Sequence, residues 1–149
     1  MSTSLDAFHE AYDGSIYADL GLSRGILFDE KNFGQQKLAV GYGLLPWEEF
    51  AAQTPLNDQA RKDLVRLQTS KEDYLPGLSL AEKQELMHRI SYETFLQDYA
   101  KVDPQLVAMY RKWGTSFWCV GIDEIPASHV QEYEGMPGTE YSLPRQGSR

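Results

Sequence analysis

The residues best suited to chemistry lie in one short stretch. Tyr110, Trp113, Phe117 and Trp118 precede two carboxylates, Asp123 and Glu124. Aromatic faces attract cations through their ring quadrupoles, and carboxylates pair with ammonium groups. Such a cluster suits an alkylammonium ligand held between rings and acids. The competing reading is packing of the rings in a core, with a helix starting at Asp123.

Other motifs carry less. Gly41-Tyr42-Gly43-Leu44-Leu45-Pro46 imitates a dinucleotide fingerprint between an expected strand and an expected helix. Pro46 stands where a third glycine would let helix and strand pack closely, so a glycine-rich turn is the better account. Neither a P-loop nor a Gly-x-Ser-x-Gly elbow occurs. His9, His88 and His129 are far apart, and none has a second histidine or cysteine at ligand spacing. His9 and His88 read as exposed helix positions beside acidic residues. The single cysteine, Cys119, excludes an internal disulfide and reads as a buried, inert thiol between Trp118 and Val120. Glu48-Glu49 and Glu72-Asp73 read as solvated helix starts.

These side chains sit in a chain of 149 residues with a net charge of −8. Hydrophobic residues make up 42% and charged residues 24%, which excludes a wholly disordered or low-complexity chain. The length suits one domain or a piece of a larger one. An acidic surface repels phosphate backbones, so nucleic acid is not an expected partner, whereas a small cation would be attracted. The longest apolar stretches are only a few residues, so no membrane span is expected. The start has neither a secretory signal nor twin arginines, and the chain as written is expected in the cytoplasm.

The elements that must position the cluster read as short helices around one small β element. Leu5, Phe8 and Tyr12 share a helical face, and Ser15 to Leu20 reads as a second helical piece closed by Gly21. Gly25–Phe28 and Lys37–Val40 read as strands of a hairpin with a long loop, which would want a third partner. From Pro46 onward the pattern is helical. Trp47, Phe50 and Ala51 form one face; Asn57 or Asp58 caps a helix to about Gln68 with Ala60, Leu64 and Leu67 inward. Tyr74–Gly77 reads as a turn. Ser79 and Glu82 form a capping box for a helix to about Arg89. Tyr92, Phe95, Leu96 and Tyr99 give an amphipathic stretch. Asp103-Pro104 opens a helix lined by Leu106, Tyr110 and Trp113 and closed by Gly114. The expected organisation is one helical region over 1–133 with the hairpin near 25–40, followed by a flexible tail over 134–149.

Several segments, in order, resemble the spermidine dehydrogenase-like flavoproteins. They are Leu20-Gly-Leu-Ser-Arg-Gly-Ile-Leu-Phe-Asp29 with Asn32-Phe-Gly34, Pro46-Trp-x-x-Phe50, and Asp73-Tyr-Leu-Pro-Gly-Leu-Ser-x-x-Glu-Lys83. Arg89-Ile-Ser-Tyr-x-x-Phe-Leu96 and Val120-Gly-Ile-Asp-x-x-Pro-Ala127 continue the match, and Gly135-Met-Pro-Gly138 resembles a Gly-x-Pro-Gly-Phe segment. The likeness covers about residues 12 to 138. Trp118 and Ser128-His129-Val130 depart from the family pattern.

The resemblance implies an FAD-dependent amine oxidoreductase of the flavin amine oxidase fold, in which hydride passes from the carbon beside an amine to the flavin. Full-length members resemble exported bacterial proteins, so a longer parent would be periplasmic. The matched part is an interior, substrate-side region that lacks the dinucleotide-binding motif. The fold class expected is therefore mainly α with a small β-hairpin, a partial substrate domain. No FAD is expected on this chain alone. In an intact enzyme the resemblance and the cluster together imply that Asp123 anchors a polyamine ammonium and Glu124 adds negative potential. Trp118 or Tyr110 would pack on the alkyl chain. The missing flavin-domain parts are the implied partners. The rival expectation is a small acidic helical module that binds a protein partner without catalysis. A third is a decayed copy without function.

Overall fold

A computed structural model describes residues 19–130, 136–140 and 142 of the chain. The expected helix over 4–12, most of the piece over 15–20, and His9 lie outside the described residues. The described chain is mainly helical with one two-stranded antiparallel sheet. Among the described residues no helix is long and apolar enough to cross a membrane.

The hairpin pairs β1 (Gly25–Phe28) with β2 (Lys37–Val40), Leu27 opposite Leu38. The loop expected between them contains a helical turn, α1 (Glu30–Phe33). Asp29 starts it by accepting the Asn32 backbone N–H at 2.9 Å, and Gly34 ends it at φ 75°, where a side chain would be strained. Phe33 meets Phe28 edge-to-face at 4.9 Å, which holds the turn against the sheet. Among the described residues no third strand is present. At Val40 its place is taken by a side chain: the Gln53 amide accepts from Val40 N–H at 3.3 Å and donates to Val40 C=O at 3.2 Å. That satisfies an outward-facing backbone pair on an otherwise open edge.

Gln53 ends α2 (Trp47–Gln53), whose inward face is Phe50 and Ala51. Next comes α3 (Asp58–Thr69), capped by Asn57, which accepts the Ala60 N–H at 2.8 Å. Ala60, Leu64 and Leu67 are buried as their spacing requires, and Asp63 is buried beside them. The capping box forms at α4 (Leu80–Arg89): Ser79 Oγ accepts from Glu82 N–H, and Glu82 accepts from Ser79 N–H at 2.8 Å.

The stretch after α4 is less regular than its periodicity suggests. One α-turn, α5 (Tyr92–Thr94), widens into a π-helical turn over Phe95–Tyr99. The Ala100 N–H reaches back five residues to Phe95 C=O. This wide turn buries Phe95 and Leu96 and stacks Tyr92, Phe95 and Tyr99, with ring centres 6.3 and 6.5 Å apart. Asp103 then caps α6 (Pro104–Tyr110), with proline in its first turn.

Gly114 does not close α6, which ends at Tyr110. The glycine instead precedes α7 (Thr115–Trp118) at φ −74°. Its requirement is closeness: a Cβ there would lie 2.4 Å from Ile125 Cδ1. The helix expected at Asp123 is also displaced. Residues 122–124 form a turn, and α8 begins later, spanning Ala127–Val130. Backbone bonds join this region to the end of α4. Tyr92 N–H donates to Ile125 C=O at 2.8 Å, Ala127 N–H to Ile90 C=O at 2.9 Å, and Glu93 N–H to Ile122 C=O at 3.0 Å.

Described residues within the segment expected as a tail lie against the core. Met136, Thr139 and Ser142 are buried. Tyr92 Oη donates to Pro137 C=O at 2.7 Å, and Ser142 Oγ accepts the Tyr74 N–H at 2.8 Å.

Candidate functional site

Ile122 and Ile125 are buried and act as two anchors. Asp123 and Glu124, lying between them in the turn, are exposed. The turn is fixed from both sides: Ile122 N–H donates to Arg111 C=O at 3.2 Å, while its own carbonyl accepts from Glu93. The backbone at Gly121 lies close to the turn, with the Arg111 C=O 3.2 Å from where a Cβ would stand. A cation already occupies this neighbourhood. Arg111 pairs with Glu93 at 2.7 Å, its backbone holding the same turn.

Trp118 is half-buried. Its ring lies over Gly114, whose absent Cβ would be 3.1 Å from Trp118 Cε3, and it meets Phe117 at 5.3 Å. Phe117 is 65% exposed. An aromatic surface therefore persists in the residues before the acidic turn.

Tyr110 does not belong to it. The side chain is fully buried in an aromatic group with Tyr42 and Trp113, whose ring centre is 5.5 Å away. Its hydroxyl and that of Tyr42 both accept from Gln68 Nε2, at 3.2 and 3.1 Å. Burial, reinforced by the neighbouring Tyr42 and Tyr92 phenols, pushes the Tyr110 hydroxyl well above its usual range. Tyr110 is a core residue and cannot face a ligand at Asp123. The reason is helical phase: it follows Leu106 and Val107 on the inward side of α6.

Cys119 also departs from expectation. It is exposed, because it ends α7 in the left-handed region at φ 62° and the chain reverses there.

Gly41 and Gly43, at φ 89° and 72°, form a turn after an antiparallel hairpin. The space over Gly41 is filled by Leu45, which would lie 2.6 Å from a Cβ. The strand before it belongs to an antiparallel hairpin, where the fingerprint needs a parallel strand joined through a crossover helix. This turn does not fit the dinucleotide part of FAD. A pocket of about 180 Å³ lined by Leu67, Gln68, Thr69, Ser70, Pro137 and Glu140 is smaller than ordinary ligand sites of about 300 Å³ or more.

Two features escaped the sequence reading. The hairpin's outer face carries Leu27, Leu38 and Val40, exposed by 63%, 59% and 42%. The signal was available: both strands are apolar at nearly every position, where a half-covered sheet would alternate with polar residues. The second is a meeting of His88 and His129, whose ring centres lie 6.1 Å apart. Their closeness depends on the pairing of residues 90–92 with 125–127, which no local pattern announces.

No family model matches the chain, and no curated protein matches it either.

Proposed function

We propose that this chain is the substrate-side region of a spermidine dehydrogenase-like, FAD-dependent amine oxidoreductase, and that it turns over no amine by itself. The ordered segment resemblances motivate the family. The observation that carries the incompleteness is the uncovered hairpin face at Leu27, Leu38 and Val40. Burying one such side chain is worth about 1.5–3 kcal/mol, so a face carrying three of them favours a covering partner. The missing flavin-domain parts are that partner in this reading.

FAD would accept the hydride when bound, held by parts outside this chain. Within the chain, Asp123 would anchor a polyamine ammonium, Glu124 would raise the local negative potential, and Trp118 would pack on the alkyl stem. Tyr110 is withdrawn from that set by its burial. The test is to join the chain to the complementary flavin-domain parts and follow spermidine-dependent reduction of an electron acceptor. Activity is expected only in the joined protein, and Asp123→Asn should raise the KM for spermidine. An unchanged KM removes Asp123; an inactive but folded, FAD-loaded assembly overturns the enzyme reading.

The same apolar face also favours a second reading, a small acidic module that binds a protein without catalysis. Thermal unfolding with and without spermidine separates the two, since a ligand of the native state raises the transition. A rise supports the retained polyamine subsite.

A further inference from the structure

The pairing between the end of α4 and the start of α8 brings together His88, Ser128 and His129. We propose that His88 and His129 form a two-imidazole site for a divalent transition metal, with Zn²⁺ and Cu²⁺ as the fitting ions. The two rings stand edge-to-face with centres 6.1 Å apart and planes at 83°. A zinc ion sits about 2.0–2.1 Å from each ligating nitrogen, hence roughly 3 Å from each ring centre, and at a tetrahedral angle the two ring centres come to roughly 5 Å. The observed spacing is roughly 1 Å wider than that, a gap that two exposed side chains can close by rotation.

The backbones that carry the rings are held together by other forces. Ala127 N–H donates to Ile90 C=O and Tyr92 N–H to Ile125 C=O. Met87, next to His88, and Ala127 and Val130, flanking the Ser128-His129 pair, are buried at 0% exposure. The metal therefore does not have to organise the fold in order to bind.

Ser128 supplies the orienting partner. Its Oγ lies 2.5 Å from His88 Nδ1. With the proton on Nδ1, the ring donates to Ser128 and presents the Nε2 lone pair to a metal. Ligating histidines are oriented in this way by a hydrogen bond at the other nitrogen. Arg89, the nearest cation in sequence, is paired with Glu85.

Among the described residues no group of three histidine, cysteine or acidic side chains is placed to hold a metal. Water would complete the coordination, which makes the site open and exchangeable. Imidazole ligands suit zinc and copper, whereas Mg²⁺ prefers oxygen donors.

The test is titration of the whole purified chain with ZnCl₂, CuCl₂ and MgCl₂. Calorimetry gives stoichiometry, and the zinc titration is followed by NMR of the histidine rings. One Zn²⁺ per chain is expected to shift the His88 and His129 resonances together, with no response to Mg²⁺. His88→Gln and His129→Gln should each weaken binding at least ~10-fold, the scale on which even an orienting partner acts, and Ser128→Ala by ~10-fold. His9→Gln should change nothing. Circular dichroism of each variant shows whether it remains folded. Binding that survives the double His88→Gln, His129→Gln change, binding lost in His9→Gln, or unshifted rings at millimolar Zn²⁺ would each overturn the site.

Discussion

Asp63 accepts the backbone N–H of Asp103 at 2.9 Å across forty residues of sequence. One cap residue thus begins α6 while its own amide is held from the buried face of α3. The link is doubled at the other end, where Asn57, the cap of α3, donates to the Asp103 carboxylate at 3.2 Å. Asp63 also receives Arg66 at 3.1 Å, and Arg66 in turn donates to Ala100 C=O at 2.7 Å. Two helix starts and the end of the π-turn therefore share one polar network.

The Asp63→Ala variant should lose about 2–4 kcal/mol of stability, because it removes charge-assisted bonds and leaves the Asp103 N–H without its acceptor. Asp63→Asn keeps an oxygen for that N–H and should cost less, about 1–2 kcal/mol. Urea unfolding of both variants measures the difference. Equal losses would show that the charge, not the acceptor, holds the joint.

Acid should weaken the fold through three carboxylates. At Asp73, burial pushes the carboxyl up, but the Lys83 hydrogen bond, the Leu75 N–H and the Lys83 charge outweigh it and hold it below its usual range. The Ser79 hydroxyl and backbone N–H lower Glu82, and the Asn32 side-chain amide and backbone N–H lower Asp29. A carboxyl lowered in the folded state contributes stability that is present above its unfolded value and lost as pH falls through the folded one. The loss should therefore begin near pH 4 and deepen below it, since unfolded Asp and Glu titrate at about 3.9 and 4.3. Denaturation midpoints measured between pH 6 and 2.5 check this. Asp73→Asn should flatten the acid limb, and an unchanged slope would remove the Lys83 pair from the account.

What the sequence made legible was local. The strand limits, the capping box at Ser79 and Glu82, and the helix start at Asp103-Pro104 depend on neighbours a few residues away and form where expected, while of the two cap candidates Asn57 and Asp58 it is Asn57 that caps. The candidate site was legible in part. Asp123 and Glu124 are exposed, as a binding role needs, but Tyr110, near them in sequence, is turned inward by the phase of α6. Glycine often ends a helix, but Gly114 answers instead to the distant Ile125. The π-turn, the exposed Cys119 and the histidine pair likewise depend on tertiary packing, which overrides single-residue preference.

The hairpin face gives the clearest separation between a surface that is merely apolar and one that is shaped for cover. Leu27 and Leu38 lie directly opposite each other, Leu27 beside the Val40–Gly25 pair, all on the outward side. The inward side carries the fully buried Phe28 and Ala39. Changing the exposed pair to Leu27→Lys and Leu38→Glu places opposite charges across the strands, which a solvated antiparallel pair tolerates. Stability of the isolated chain should shift by no more than about 0.5 kcal/mol, the usual range for surface changes. Association should respond much more: self-association at high concentration, and assembly with flavin-domain parts, should both fall. Urea unfolding and sedimentation on the same sample read the two effects. A stability loss of several kcal/mol with unchanged association would mean that these leucines pack within their own chain, and the partner for the hairpin would then have to be sought there.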